Sequence, residues 1–255
     1  MKKNLCIFSV VCFFSVGVLA DTFVVGTTSG YAPYVSLNEK GEYEGFDIDI
    51  ANLLAKKLGS KLVLKDLGSM PALMMALKQE KVDALIWAIS ITEERMKNVE
   101  MIYYPGERVL QMPFIFWKEI PSGINSMEDF KKGKKNAICV ESGTYQEDVV
   151  VKFPNICVKF LEKITDVILE LKYGKSLGAA VDPSLLPHLR SKYPEIKVLK
   201  LPLPLNEQSL GNGICLSKAN QSLISEVKRA INELREENKI AELEKKWNLV
   251  EIDYE

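Results

Sequence analysis

One stretch, VDALIWAISITEER at residues 82–95, narrows the possible folds more than any other. Residues 84–89 are an unbroken apolar run of strand length, the pattern of a strand covered on both faces of a parallel sheet. Polarity returns at Ser90 and Thr92, followed by Glu93, Glu94 and Arg95. Thr92 has the chemistry of an N-cap, and the two glutamates fall in the first helical turn, where the macrodipole favours negative charge. Arg95 then stands near the third helical position, beside unpaired backbone N–H groups. A strand end bearing hydroxyls, followed by a helix start bearing an arginine, suits an anion. Taken alone, the same residues also describe an ordinary strand–helix junction with a surface arginine.

The residues before this stretch repeat the alternation. Residues 23–26 read as a strand that runs into Thr28, Ser29, Gly30, Tyr31 and Tyr34, the hydroxyls and aromatics of either a small-molecule pocket or a plain polar loop. Ile48, Ala51, Leu54, Ala55 and Leu58 recur at helical spacing, with Gly59 as a stop. Residues 62–64 suit a strand, and residues 70–78 a helix that tolerates Pro71 near its start. This β-α-β-α-β-α order predicts a right-handed, parallel, doubly wound sheet. Both polar loops, 28–34 and 90–95, would then lie at carboxyl strand ends, where such sheets bind ligands.

After Tyr103-Tyr104-Pro105-Gly106 the pattern restarts with a long apolar segment at 109–117 and a short helix at 126–130. A strand at 137–140 ends in Glu141-Ser142-Gly143-Thr144, and Thr144 with Glu147 has capping-box spacing. A strand at 156–160, a helix at 165–173 and a strand at 177–181 follow, the last meeting Asp182-Pro183, an N-cap with proline behind it. The strand at 196–199 leads into Leu201-Pro202-Leu203-Pro204, a stiff connector barred from a central ladder. A strand at 213–216, a long amphipathic helix capped by Asn220 and a last helix at 240–247 pack back on the first unit.

The predicted class is therefore α/β with two lobes, each a mainly parallel sheet flanked by helices. Lobe 1 takes residues 21–107 plus 205–255 and lobe 2 takes 108–204. Two hinge crossovers join them and permit rigid-body closure. Arg95 offers one lobe's fork for a carboxylate, and Asp182 the other lobe's acceptor for an ammonium, beyond its structural role as a cap. Ser90, Thr144 and helix-start N–H groups would add hydrogen bonds. The residues thus point to a two-lobed receptor for an α-amino acid.

The amino end reads as an address. Lys2 and Lys3, an apolar stretch at 5–18 and the small residues before Asp21 match a cleaved secretory leader over residues 1–20, too short for a span of about 20 residues. Lipidation at Cys12 is the less favoured reading. Without Lys2 and Lys3 the chain keeps 31 basic against 34 acidic residues, no footprint for nucleic acid. Cys139, Cys157 and Cys215 each sit in an apolar run and read as buried thiols, with a Cys139–Cys157 bridge open in an oxidising compartment. Their spacing does not suggest zinc, and His188 is the single histidine, so neither a metal site nor a cofactor is expected.

Five stretches together carry a resemblance: VGTTSGYAPY, GEYEGFDIDIANLLAKKLG, KVDALIWAISITEERMKNVE with YYPG, VESGTYQE, and ENKIAELEKKWNL. The chain resembles the periplasmic polar-amino-acid-binding proteins of ABC importers, bacterial solute-binding protein family 3, across the whole mature sequence. The resemblance implies the two-lobed type II periplasmic-binding-protein fold and capture of a free L-amino acid for a separate permease and ATPase, by a periplasmic monomer. It implies that Arg95 and Ser90 bind the ligand carboxylate and Asp182 its ammonium. Thr144, with Tyr145 beside it, falls in the loop whose amides also bind the carboxylate, Tyr31 stacks on the ligand side chain, and Met70 forms a wall. Thr28 stands where relatives carry an aspartate, Trp87 where small residues are usual, and Ala88 where serine or glycine is common. A lost acid and a gained indole favour a neutral polar ligand such as glutamine, with arginine stacked on Tyr31 and Trp87 as the alternative; Trp87 could instead point into the core. A sensor and a dehydratase-like enzyme on the same scaffold are the rival readings. The enzyme would need a free acid from Asp182 or Glu141, and Asp182 is already committed to the ammonium.

Overall fold

The computed structural model describes residues 21–104 and 109–249. The expected leader, and Pro105 in the first expected crossover, lie outside the described residues. The chain opens with β1 (Thr22–Thr27), a small hairpin of β2 (Ser36–Leu37) and β3 (Tyr43–Glu44), α1 (Phe46–Lys57), β4 (Lys61–Asp66), α2 (Met70–Lys78), β5 (Ala84–Leu85), α3 (Glu93–Asn98) and β6 (Glu100–Tyr103). The second unit comprises β7 (Gln111–Trp117), β8 (Ile138–Glu141), α4 (Tyr145–Val150), β9 (Val158–Leu161), α5 (Ile164–Lys172), β10 (Gly178–Ala180), α6 (Leu186–Lys192) and β11 (Ile196–Pro202). The chain then returns as β12 (Gly213–Leu216), α7 (Gln221–Glu236) and α8 (Lys239–Lys246).

Two five-stranded sheets result, ordered β4-β1-β5-β12-β6 and β11-β7-β10-β8-β9. The fold is thus two-lobed, but neither sheet is purely parallel. In the first, β12 enters antiparallel to both β5 and β6, because it arrives from the returning chain rather than through a helical crossover. In the second, β7 lies antiparallel to β10 and β11. Pro202 belongs to β11 and pairs with Gln111, so the strand runs further than its prolines suggest. Its place at the sheet edge is what allows this.

The expected strand at 84–89 is cut short as well. Only Ala84 and Leu85 join the ladder, and beyond them other groups take the backbone hydrogen bonds. Thr27 Oγ1 donates to the Ile86 carbonyl at 2.9 Å, Ala88 N–H donates to the Asp47 carboxylate at 2.7 Å, and the Ile89 carbonyl accepts from Gly213 N–H at 2.8 Å. Ala88 sits at φ 45°, a conformation that β-carbon-bearing residues rarely hold and that the Asp47 bond maintains. The run is apolar because it is buried, not because it is a long strand.

Each lobe has its own packed interior. Leu54, Leu73, Leu85 and Ile231 are buried in the first, and Phe114, Phe116, Ile138 and Val140 in the second. Burial of such a side chain contributes about 1.5–3 kcal/mol. Along α7, Ile224, Val227, Ala230, Ile231 and Leu234 face inward, and Asn220 Oδ1 caps it from Leu223 N–H at 3.1 Å. The crossovers run side by side, with Leu203 N–H on the Leu110 carbonyl at 2.9 Å and Val109 N–H on the Ser209 carbonyl at 3.2 Å. Cys139, Cys157 and Cys215 are free thiols: in the β8–β9 register Cys139 faces Lys159, out of line with Cys157. His188 is solvent-exposed.

Candidate functional site

Where the carboxyl ends of the two sheets face each other lies one cleft, about 260 Å³ including the part open to solvent. Nine of the ten residues singled out from the sequence line it: Tyr31, Met70, Trp87, Ala88, Ser90 and Arg95 from the first lobe, Thr144, Tyr145 and Asp182 from the second. Thr28 does not. It is buried, and its Oγ1 has no hydrogen-bond partner among the described residues.

Arg95 is held by the local chemistry its sequence suggests. Thr92 caps α3, its Oγ1 accepting from Arg95 N–H at 3.2 Å. From that anchored backbone, Nη1 donates to the Ser90 carbonyl at 3.0 Å and Nη2 to the Gly143 carbonyl of the other lobe at 2.8 Å. Asp148 completes the surroundings with an ion pair at 3.4 Å. Burial pushes the Asp148 carboxyl up, and Arg95 pulls it back.

The opposite wall is made by the loop after β8 and the turn after β10. Thr144 caps α4, its Oγ1 accepting from Glu147 N–H at 3.3 Å and donating to the Glu141 carbonyl at 2.6 Å. The reciprocal half of the expected capping box is displaced, because the Glu147 carboxylate accepts from Gly143 N–H at 2.6 Å instead of from Thr144. Asp182 caps the short turn Pro183–Leu185, accepting from Ser184 N–H at 2.9 Å and from the Ser184 hydroxyl. Its other oxygen accepts from Gln146 Nε2 at 3.5 Å. Burial drives the Asp182 pKa up, and these hydrogen bonds partly offset that.

An aromatic side closes the cleft. The Tyr31 and Trp87 rings lie 5.2 Å apart at 55°, and Tyr31 meets Tyr34 at 6.3 Å. Trp87 faces the cleft while remaining 4 % exposed, and its Nε1 has no partner among the described residues. Burial, then the carboxylates of Asp182 and Glu141, lift the Tyr31 hydroxyl well above the usual tyrosine range.

Four contributors were not assigned from sequence: Ile89 and Gln146 in the lining, Asp148 beside Arg95, and the Gly143 carbonyl. Gln146 and Asp148 follow the Thr144 cap within two turns, so the cap itself was their signal. A backbone carbonyl gives none. Among the described residues, no group of side chains could hold a metal ion.

Comparison with known proteins places this geometry. The model of the bacterial extracellular solute-binding proteins, family 3, matches residues 23–250. The chain is 31% identical to the probable ABC transporter arginine-binding protein ArtJ of Chlamydia trachomatis serovar D over 90% of its own length and 87% of that protein. It is 26% identical to the ABC transporter glutamine-binding protein GlnH of Bacillus subtilis, covering 81% of this chain and 73% of the other. Among solved structures, an ancestral arginine-binding protein bound to arginine superposes with a TM-score of 0.78 at 27% identity, covering 89% of this chain and 97% of that one.

Proposed function

We propose a specific role for a chain that belongs to the bacterial extracellular solute-binding proteins of family 3: capture of a free L-amino acid between the two lobes and its delivery to the permease of an ABC importer. Membership makes the activity binding rather than catalysis, in the extracytoplasmic component of an amino-acid importer. Among the described residues no helix is long and apolar enough to cross a membrane. Export behind a cleaved leader at residues 1–20, a periplasmic location and a monomeric state complete the reading, with lobe 1 at 21–107 plus 205–255 and lobe 2 at 108–204.

One observation carries the proposal. A guanidinium from one lobe and a carboxylate from the other, Arg95 and Asp182, line the same cleft, the arrangement a zwitterionic α-amino acid requires. Ser90 and Thr144 stand beside the carboxylate end, and Tyr31, Trp87 and Met70 supply apolar surface for a side chain. Because each charge lies on a different lobe, a bound zwitterion stabilises closure. The likeness to proteins named for arginine and for glutamine supports a polar amino acid. A thermal-shift screen of the purified protein against the twenty L-amino acids tests this. Stabilisation by one member or a small group is expected, and twenty null results would overturn it.

A further inference from the structure

Trp87, Ala88, Ile89 and Ser90 are consecutive, yet all four line the cleft. An extended strand cannot achieve this, because its successive side chains point to opposite faces. The chain does so by leaving the ladder after Leu85 and placing Ala88 at φ 45°. For a residue with a β-carbon, that left-handed conformation is disfavoured about five- to thirtyfold in population. Asp47 supplies a tether from the first turn of α1: one carboxylate oxygen accepts from Ala88 N–H at 2.7 Å, the other from the Tyr104 hydroxyl at 2.7 Å. The Tyr104 ring stacks on that of Phe46, the residue before Asp47, with centroids 6.0 Å apart, so the carboxylate is itself held in place. Asp47 is 1 % exposed and is not among the residues that line the cleft.

We propose that Asp47 is a positioning residue for ligand capture: from outside the cleft it holds Ala88 in the kink that aims Trp87 and Ser90 at the ligand. The inference rests on the amino-acid-receptor reading and adds a residue that the ligand never touches. On either side of the kink the backbone is held by other strands: Ile86 N–H donates to the Gly26 carbonyl at 3.1 Å, and the Ile89 carbonyl accepts from Gly213 N–H at 2.8 Å. Between those points Asp47 holds the peptide of Ala88. Without that acceptor the buried Ala88 N–H is unpaired, a second cost laid on an already disfavoured conformation. The segment then relaxes toward extended backbone, and Trp87 and Ser90 lose their common aim. Only the molecules that keep the kink bind well, so apparent affinity falls by that fraction. A purely structural Asp47, serving Tyr104 and the start of α1, would lower fold stability and leave affinity alone.

Calorimetric titration tests this with whichever of the twenty L-amino acids binds wild type most tightly. Asp47→Ala, which removes the acceptor, should lose about five- to thirtyfold in affinity. Asp47→Asn, whose amide oxygen still accepts from Ala88 N–H, should recover most of that loss. Glycine takes positive φ as readily as negative, so in an Ala88→Gly background Asp47→Ala should cost about threefold or less. Equal affinities for D47A and wild type would overturn the proposal, as would a D47N as weak as D47A or a loss undiminished in the glycine background. If D47A alone does not fold, a D47A/A88G protein that folds and binds within about threefold of A88G supports the assignment. Failure of both to fold would make Asp47 a residue of the fold alone and overturn it. These results leave the receptor reading intact; a wild type that binds none of the twenty overturns that reading, and this inference with it.

Discussion

Arg95 and Gly143 tie the two lobes together: the Nη2 of one donates to the carbonyl oxygen of the other at 2.8 Å across the cleft. The same guanidinium holds the Ser90 carbonyl of its own lobe at 3.0 Å, so one side chain reads both walls at once. A carboxylate arriving between them meets a fork already aimed by the Thr92 cap, at little further entropic cost.

Arg95→Ala should therefore abolish ligand capture while sparing the fold. Loss of one partner in a desolvated, hydrogen-bonded charge pair costs about 2–5 kcal/mol, a weakening of some thirtyfold to several thousandfold. The interior packing of each lobe does not involve the side chain, so urea unfolding of the ligand-free variant should stay within about 1 kcal/mol of wild type. Calorimetric affinity equal to wild type would place the carboxylate subsite elsewhere.

Asp182 has two jobs, and Asp182→Asn separates them. Asparagine is as good an N-cap as aspartate, so Ser184 N–H keeps its acceptor and the ligand-free stability should change by no more than about 1 kcal/mol. The negative charge facing the ligand ammonium is gone, and affinity should fall by about 2 kcal/mol or more, roughly thirtyfold. Asp182→Ala should lose both. Equal affinities for D182N and wild type would reduce Asp182 to a cap.

The strongest signals in the sequence were those with a local cause. The caps at Thr92, Thr144 and Asn220 and the helix at residues 70–78 needed only near neighbours, and the structure has them in place. The run at 84–89 misled because apolar composition reports burial, and it cannot report that Asp47, far away in sequence, takes the Ala88 N–H. β12 could be recognised as a strand but not its antiparallel insertion, which long-range pairing decides. Of the cleft, chemistry-bearing side chains stood out. Thr28 did too, yet it is buried outside the lining, and residues that serve through backbone carbonyls left no mark.

Asp47 should make the fold sensitive to pH. Burial raises its carboxyl from 3.8 to about 7, only partly offset by the Tyr104 hydroxyl at 2.7 Å and by Ala88 N–H. Unfolded, the group ionises near its ordinary value of about 3.9. The folded chain thus keeps a proton that the unfolded chain has lost. Stability from this group is complete below about pH 4 and is lost as pH rises through about 7, and Glu141, raised to about 8, acts in the same direction. Urea unfolding from pH 5 to pH 8 should show wild type losing several kcal/mol, since each tenfold difference in proton affinity between the folded and unfolded chain is worth about 1.4 kcal/mol. Asp47→Asn, which keeps an acceptor for Ala88 N–H, should flatten the Asp47 share of that slope. An unchanged slope in the variant would mean Asp47 is ionised in the folded protein.

Gly143 should control closure through space as well as through its carbonyl. Its φ of +76° costs a β-carbon-bearing residue about 1–2 kcal/mol in any state of the lobes. A β-carbon there would also lie 2.7 Å from Met70 Cβ and 3.0 Å from Met70 Cγ, and Met70 belongs to the other lobe. That second penalty exists only when the lobes are shut, so it shifts the population toward the open form. Apparent affinity then falls by the fraction of closed molecules lost. Gly143→Ala is expected to lower ligand affinity about tenfold to a hundredfold, whereas the backbone penalty of about 1–2 kcal/mol, common to open and closed forms, lowers only the stability of the fold. Small-angle scattering at equal ligand concentration should show a larger radius of gyration than wild type, with saturating ligand restoring the compact form. Affinity unchanged from wild type would show that closure does not bring Gly143 against Met70.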